Sequence, residues 1–315
     1  MLGRPCPVPA ASPAFVRFRL PARFLCILAL LGSAPCWATS SAVEKDAANT
    51  ITWLMPDSLS VGGGAASLGF SDQLVDYLAQ ALPQVHHRKV VANVKRSWQM
   101  LAHGEPVCVS SAVRTPERAT QAYFLPAQWV LPPQLIVRQD RLAALPRAPG
   151  GEVDLPALMR QARLRGALFE GRSYGRAIDE QLAQEREASP RMNHYAQAGA
   201  ADKLLQMLRL DRADYTIDYD FALKLVSQDA RTPGAALLSL PILGASEPVI
   251  GSLACPRNAW GWATLLRIGQ VLAAPAGTEF LRERMAARLS PEARRQHSHR
   301  LEQFYKDRSQ RSRPQ

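Results

Sequence analysis

Three observations predict an α/β protein of two lobes. Strand-like and helix-like stretches alternate along the chain, the pattern of largely parallel sheets covered by helices. Removal of an N-terminal leader leaves about 277 of the 315 residues, more than one ordinary lobe holds. A proline-rich extended stretch over 124–140, with Pro126, Pro132 and Pro133 around Trp129, interrupts the alternation as a linker or crossover strand does.

The leader is read from residues 1–38. Arg4, Arg17, Arg19 and Arg23 stand without an acid among them, an apolar run follows over 24–31, and Gly32 and Pro35 end it before Cys36-Trp37-Ala38. This is the outline of a signal peptide cleaved near Ala38, with the mature chain starting near Thr39. The apolar run is far shorter than the roughly 18 to 20 residues that span a bilayer, and no later window reaches that length without charges, so a soluble exported protein with no stable membrane insertion is expected. Neither Cys26 nor Cys36 follows the aliphatic and small residues that lipid attachment needs.

The net charge of +11 falls to about +7 with the leader gone, and much of the remainder sits between Arg294 and Arg313. The basic residues form no stripe interleaved with aromatics, so nucleic acid is not an expected partner, and residues 301–315 read as a solvated basic tail. Of the five cysteines, Cys108 and Cys255 remain in the mature chain. In an oxidising compartment they form a disulfide or stay as two buried thiols in apolar strands; the bridge is the preferred reading.

In chain order, the run of Ile51, Trp53, Leu54 and Met55 predicts a strand over 50–55, and Gly62, Gly63, Gly64 and Gly69 mark the turns after it. Ser71 then caps a helix carrying Leu74, Val75, Leu78 and Leu82 at helical spacing until Pro83 stops it. A strand over 88–93, a short helix over 97–102 ended by Gly104, and a strand over 107–113 follow. Thr115 is a good N-cap and Pro116 suits the first helical position. After the proline-rich crossover come loop and basic helix over 141–165, a strand over 164–170, a helix opened by Ser173, a helix over 201–210 and a strand over 215–218. Residues 242–254 are apolar and extended, and the rest is helical, with caps at Thr278 and at Ser290-Pro291.

The stretch Val107-Cys-Val-Ser-Ser-Ala-Val-Arg-Thr-Pro-Glu-Arg118, continued by Ala122-Tyr-Phe-Leu-Pro126, resembles the bacterial extracellular solute-binding proteins of family 3, the binders of polar amino acids and similar solutes. Leu68-Gly-Phe-Ser-Asp72 is similar to that family's Gly-Phe-Asp helix start, Glu170-Gly-Arg-Ser173 to its Gly-Thr-Thr loop, and Asp211-Arg-Ala-Asp214 to its Gly-Arg-x-Asp turn, in the family's order over nearly all of the mature chain. The resemblance implies a two-lobed periplasmic-binding-protein-like type II fold with a discontinuous first lobe: residues 48–130 and 243–300 form lobe 1, residues 131–242 lobe 2, and two crossing strands hinge them. It also implies a monomer in the periplasm that binds a small-molecule solute without a cofactor or metal and serves a membrane transporter or receptor.

The same resemblance suggests the site. Arg118 matches the arginine that forks onto a ligand carboxylate, a task for a planar guanidinium. Ser111 stands where hydroxyl and backbone donors complete that pocket, and Arg114 is either an extra cation suited to a more anionic ligand or a solvated or salt-bridged arginine. Phe169 matches an apolar wall, and Ser173 a helix N-terminus that attracts an anion across the cleft. The family's amine-pairing aspartate falls on Tyr219, flanked by Asp218 and Asp220, so an ordinary α-amino acid is not implied. Its aromatic after the first strand has only Leu59 nearby, leaving Trp53 or Trp129 as substitutes or as core.

Two enzymatic alternatives compete. Gly171-Arg172-Ser173-Tyr174-Gly175 satisfies the nucleophile-elbow pattern of serine hydrolases, with Asp218 or Asp220 and His297 or His299 in the required order, although both histidines lie in a basic C-terminal helix. A dehydratase on the same fold would need a cleft acid against the leaving group, and no carboxylate is placed for it by sequence.

Overall fold

The structure is a computed structural model and describes residues 49–55, 69–161, 163–185, 191–196, 201–227, 234–310 and 313–315. The leader over 1–38, Leu59, the three glycines at 62–64 and Leu68 lie outside the described residues.

The first segment runs β1 (Thr50–Met55), α1 (Phe70–Ala81), β2 (His86–Val91), α2 (Val94–Ala102), β3 (Val107–Val113), α3 (Pro116–Ala119) and β4 (Ala122–Val130). The chain then crosses to β5 (Gln134–Arg138), α4 (Leu155–Arg160), β6 (Gly166–Phe169), α5 (Arg176–Gln184), β7 (Met192–Tyr195), α6 (Ala201–Arg209), β8 (Tyr215–Asp218), α7 (Asp220–Ser227) and β9 (Leu237–Leu240). It returns through β10 (Val249–Pro256), α8 (Ala259–Ala273), α9 (Pro275–Ala286) and α10 (Pro291–Ser309).

Each lobe is built on one five-stranded sheet, ordered β2-β1-β3-β10-β4 in the first and β7-β6-β8-β5-β9 in the second. In the first, β1 pairs parallel with β2 and β3, while the returning β10 is antiparallel to both β3 and β4. In the second, β6 pairs parallel with β7 and β8, and the crossing strand β5 is antiparallel to β8 and β9. The antiparallel strands are those at the crossings, because a chain that leaves a lobe and comes back must reverse its direction in the sheet it rejoins.

Local chemistry sets most boundaries. Asn93 Oδ1 accepts the Arg96 amide at 2.8 Å to start α2, Thr115 Oγ1 accepts that of Arg118 at 3.2 Å to start α3, and Ser290 Oγ accepts that of Ala293 at 3.1 Å to start α10. Two sequence expectations differ from this. Ser71 makes no cap, since the helix begins one residue earlier with Gly69 at its N-cap. Thr278 lies inside α9 and its hydroxyl donates back to Leu272 O at 3.2 Å, tying that helix to the end of α8.

The first lobe's core holds Ile51, Trp53, Leu78, Leu125, Leu253 and Ile268; the second lobe's holds Leu135, Val137, Leu158, Tyr174 and Ile217. Trp53 and Trp129 both belong to the first core, and neither lines the cavity between the lobes described below. Cys108 on β3 and Cys255 on β10 form a disulfide between antiparallel neighbours, closing a separation of 147 residues.

Residues 301–309 are not a solvated tail. They are the second half of α10, where Leu301, Tyr305 and Arg308 are buried against lobe 1. Tyr305 Oη donates to Ala127 O at 3.0 Å, Arg308 Nε to Pro126 O at 2.7 Å and Arg308 Nη1 to Leu272 O at 2.9 Å. Gln315 then exchanges backbone hydrogen bonds of 2.8 and 3.1 Å with Phe124 on the free edge of β4. The basic residues hid an apolar stripe at helical spacing, and a guanidinium among carbonyl oxygens takes the last buried place on it.

Candidate functional site

The candidate site lies where the carboxyl ends of β3 and β6 face each other, the place α/β sheets offer to ligands. On the first lobe the Thr115 cap and Pro116 turn the chain sharply after β3, and this aims Arg118 across the cleft. Its guanidinium lies 4.5 Å from the centre of the Trp98 ring. Nη1 donates to Val113 O at 2.9 Å within its own lobe, and Nη2 donates to Gly171 O at 2.7 Å in the other. Burial pulls the Arg118 pKa below the usual guanidinium value, against the opposing pull of Asp179 and Glu117.

Further contacts join the lobes. Lys95 Nζ stands 3.5 Å from Glu170 Oε1. Arg288 is sandwiched between the ring of Phe70 at 5.1 Å and that of Phe221, on the second lobe's α7, at 4.5 Å. Burial pushes the pKa of Arg288 down to about 10, with Tyr219 and Tyr305 pulling the other way.

On the second lobe, Phe169 ends β6 and the chain turns through residues 170–175 into α5. Gly171 at φ +72° and Gly175 at φ +94° adopt left-handed backbone that side chains resist, and a Cβ on Gly175 would meet Val249 at 2.7 Å. Asp179, in the first turn of α5, organises this loop. Its Oδ1 accepts the Tyr174 amide at 2.7 Å and its Oδ2 accepts the Ser173 hydroxyl, while Ser173 Oγ accepts the Gly175 amide at 3.3 Å. Gly175, not Ser173, is the N-cap of α5.

Arg172, between Gly171 and Ser173, turns inward. Its Nη2 donates to Asp218 Oδ1 at 2.7 Å and its Nη1 to Asp218 Oδ2 at 3.3 Å. The rings of Tyr174, Phe169 and Tyr219 surround the guanidinium at 5.1, 5.6 and 5.7 Å. Burial opposes the charge on Arg172, yet Asp218 outweighs it and holds the pKa above the usual arginine value. Burial likewise raises Tyr219, and raises Tyr174 to about 12, so both phenols are neutral hydrogen-bonding groups at physiological pH.

A cavity of about 500 Å³ opens between these walls, lined by Thr115, Glu117 and Arg118 from the first lobe and by Phe169, Arg172, Ser173, Tyr174 and Asp179 among others from the second. Of the residues suggested by sequence, Arg118, Phe169 and Ser173 therefore share one cavity. Asp218 stands behind Arg172, with Tyr219 beside it. Ser111 is exposed and its Oγ bonds Gln128 Oε1 at 3.3 Å, while Gln128 Nε2 donates to Ser110 O at 3.2 Å. Arg114 lines a second cavity, of about 760 Å³, on the side of the hinge.

Sequence reasoning missed Arg172, Asp179 and the Trp98 platform. Arg172 had a visible signal, since it occupies the place of a threonine in the Gly-Thr-Thr pattern. Asp179 had none, since a helix opened at Ser173 would place it beyond the first turn, whereas the observed helix starts at Arg176. The hydrolase constellation is not assembled by the residues named for it. Ser173 donates to a carboxylate, Asp218 is held by Arg172, and His297 sits on α10 with its ring 6.0 Å from that of Trp129.

No protein-family model matches the chain, and no curated protein does either. Solved structures do match in fold. An ancestral arginine-binding protein bound to glutamine is 14% identical at a TM-score of 0.54, over 75% of this chain and 97% of that one. Holo ArgBP from T. maritima is 12% identical at 0.51, over 75% and 96%. The arginine-bound form of truncated ArgBP from T. maritima is 15% identical at 0.50, over 68% and 92%. The chain has the two-lobed α/β fold of periplasmic binding proteins. Among the described residues, no helix is long and apolar enough to cross a membrane.

Proposed function

We propose that this chain is an exported, periplasmic solute-binding protein that closes its lobes around a small carboxylate-bearing solute, as a monomer, and presents it to a membrane transporter or a receptor. The observation that carries this reading is the reach of Arg118 from one lobe to the backbone of the other. A guanidinium placed at that seam contributes to closure directly, and its remaining N–H groups point a fixed, planar set of donors at a carboxylate. The Ser173 loop, its Tyr174 and Gly175 amides already taken by Asp179 and Ser173, supplies the opposite wall together with the start of α5. Only the closed arrangement brings both halves together, so a solute that touches both shifts the population towards it. The names of the structures it resembles, which bind arginine or glutamine, support an amino-acid-sized solute.

The test is a thermal-shift screen of the purified protein against amino acids, dicarboxylates and small peptides, since a ligand that binds the folded form alone raises the melting temperature. A carboxylate is expected to raise it in the wild type and to have no effect on Arg118→Ala. An undiminished shift in Arg118→Ala contradicts the proposal.

A further inference from the structure

Asp218 is the acid that a ligand's ammonium would be expected to meet, and its capacity is already taken. Its Oδ1 accepts both Arg172 Nη2 at 2.7 Å and the Tyr219 amide at 2.8 Å, and its Oδ2 accepts Arg172 Nη1 at 3.3 Å. The fork is bidentate, the geometry that gives guanidinium–carboxylate pairs their strength and direction. The pair is also shielded, with 22% of the Arg172 side chain and 6% of the Asp218 side chain exposed. Three aromatic rings lie within cation–π range of the same guanidinium. A carboxylate at one end and aromatic faces around it are what a protein uses to hold a cationic group of any origin.

We infer that Asp218, Phe169, Tyr174 and Tyr219 form a cation-holding cage which this chain fills with its own Arg172, so that the cleft accepts carboxylates lacking a cationic group and rejects arginine-like and lysine-like solutes. This rests on the solute-binding reading above and narrows its solute class. A competing ammonium would have to displace a two-pronged, largely desolvated ion pair and leave Arg172 buried without its counter-ion, a far larger loss than one new contact returns. Asp179, the other acid on the second lobe's side of the cavity, is committed to the Tyr174 amide and the Ser173 hydroxyl while it faces the charge of Arg118, and Glu117 on the first lobe's side attracts the same guanidinium. Arg172 itself is a residue of this particular chain, standing where the family pattern has a small hydroxyl side chain.

The cage predicts rescue from outside. Arg172→Ala is titrated with methylguanidinium at about 10 mM, a range in which a ligand specific for the folded state stabilises by mass action. Methylguanidinium is expected to raise the melting temperature of Arg172→Ala by several degrees and to leave the wild type and the double variant Arg172→Ala/Asp218→Asn unmoved. Equal shifts in wild type and Arg172→Ala, or none in Arg172→Ala, overturn the inference. If Arg172→Ala does not fold, the wild type still decides: binding of L-arginine or L-lysine as tight as that of succinate or glutarate refutes it, and binding of the dicarboxylate alone upholds it. A wild type that binds no carboxylate at all counts against the solute-binding reading, whereas the methylguanidinium result on Arg172→Ala bears on the cage by itself.

Discussion

Arg118 and Arg172 are both partly desolvated cations of one cleft, and they differ in what holds them. Arg172 has a full carboxylate counter-ion, whereas Arg118 has two backbone carbonyls and a tryptophan face. Carbonyl dipoles do not neutralise a charge, and the nearby carboxylates of Asp179 and Glu117 attract Arg118 in the absence of a solute, so an anion would have to compete with them for it. Asp179 is the residue on which the facing loop depends. Removing its carboxylate in Asp179→Ala strands the Tyr174 amide and the Ser173 hydroxyl, and a loss of about 2 kcal/mol is expected in urea melts. Asp214 gives the protein an acid-sensitive point. Burial works to raise its pKa, but hydrogen bonds from Arg165, at 2.7 Å from the backbone and 3.0 Å from Nε, and from Arg141 at 3.1 Å hold it at about 2, below the ordinary 3.8. A depressed carboxylate stabilises the fold above its unfolded pKa, so this contribution of about 2 kcal/mol is complete above pH 4 and is lost as the pH falls towards 2. Thermal melts across that window should show the loss in the wild type and a flatter profile in Asp214→Asn. Arg118 was legible because a Thr-x-x-Arg turn after a strand is a local pattern. The pairing of Arg172 was not, because Asp218 and Tyr219 lie some 46 residues further along and no spacing records that they meet it.

At the scale of elements, the Cys108–Cys255 disulfide and α10 join distant parts of lobe 1. The bridge ties β3 to the returning β10, and by the chain-entropy account a loop of this length is worth about 5 kcal/mol, an upper figure where the unfolded chain keeps structure. The purified protein should therefore show no free thiol from this pair under denaturing conditions, and Cys108→Ala/Cys255→Ala should lower the urea midpoint clearly. Two titratable thiols there would contradict the bridge. Tyr305→Phe removes one buried hydrogen bond to β4 and should cost about 1 kcal/mol, a cost a solvated tail would not show. Strands and capped helices were readable from sequence where a cap residue or an apolar run announced them, as at Thr115, Ser290 and β8. The fate of α10 was hidden because charge dominates its composition. Only the spacing of Leu301, Phe304, Tyr305 and Arg308 marks the face that packs.

The whole molecule is two sheets joined by two crossings, with contacts between its lobes that include Arg118 to Gly171, Lys95 to Glu170, and Arg288 to Phe221. The alternation of strands and helices and the length made two α/β lobes legible. The antiparallel crossings were not, since pairing direction depends on which lobe the chain rejoins. Gly251 lets β4 and β10 pack closely: the Gln128 side chain passes within 3.1 Å of where a Cβ would stand on it, on the way from β4 across β10 to Ser110 and Ser111. The central claim is that closure around a carboxylate depends on the Arg118 fork. It is tested most directly by titration calorimetry of the carboxylate that stabilises the wild type best, run on wild type, Arg118→Lys and Arg118→Ala. Affinity should fall at least about 10-fold in Arg118→Lys, which keeps the charge but loses the planar fork, and vanish in Arg118→Ala. Wild-type affinity in Arg118→Ala would contradict the account.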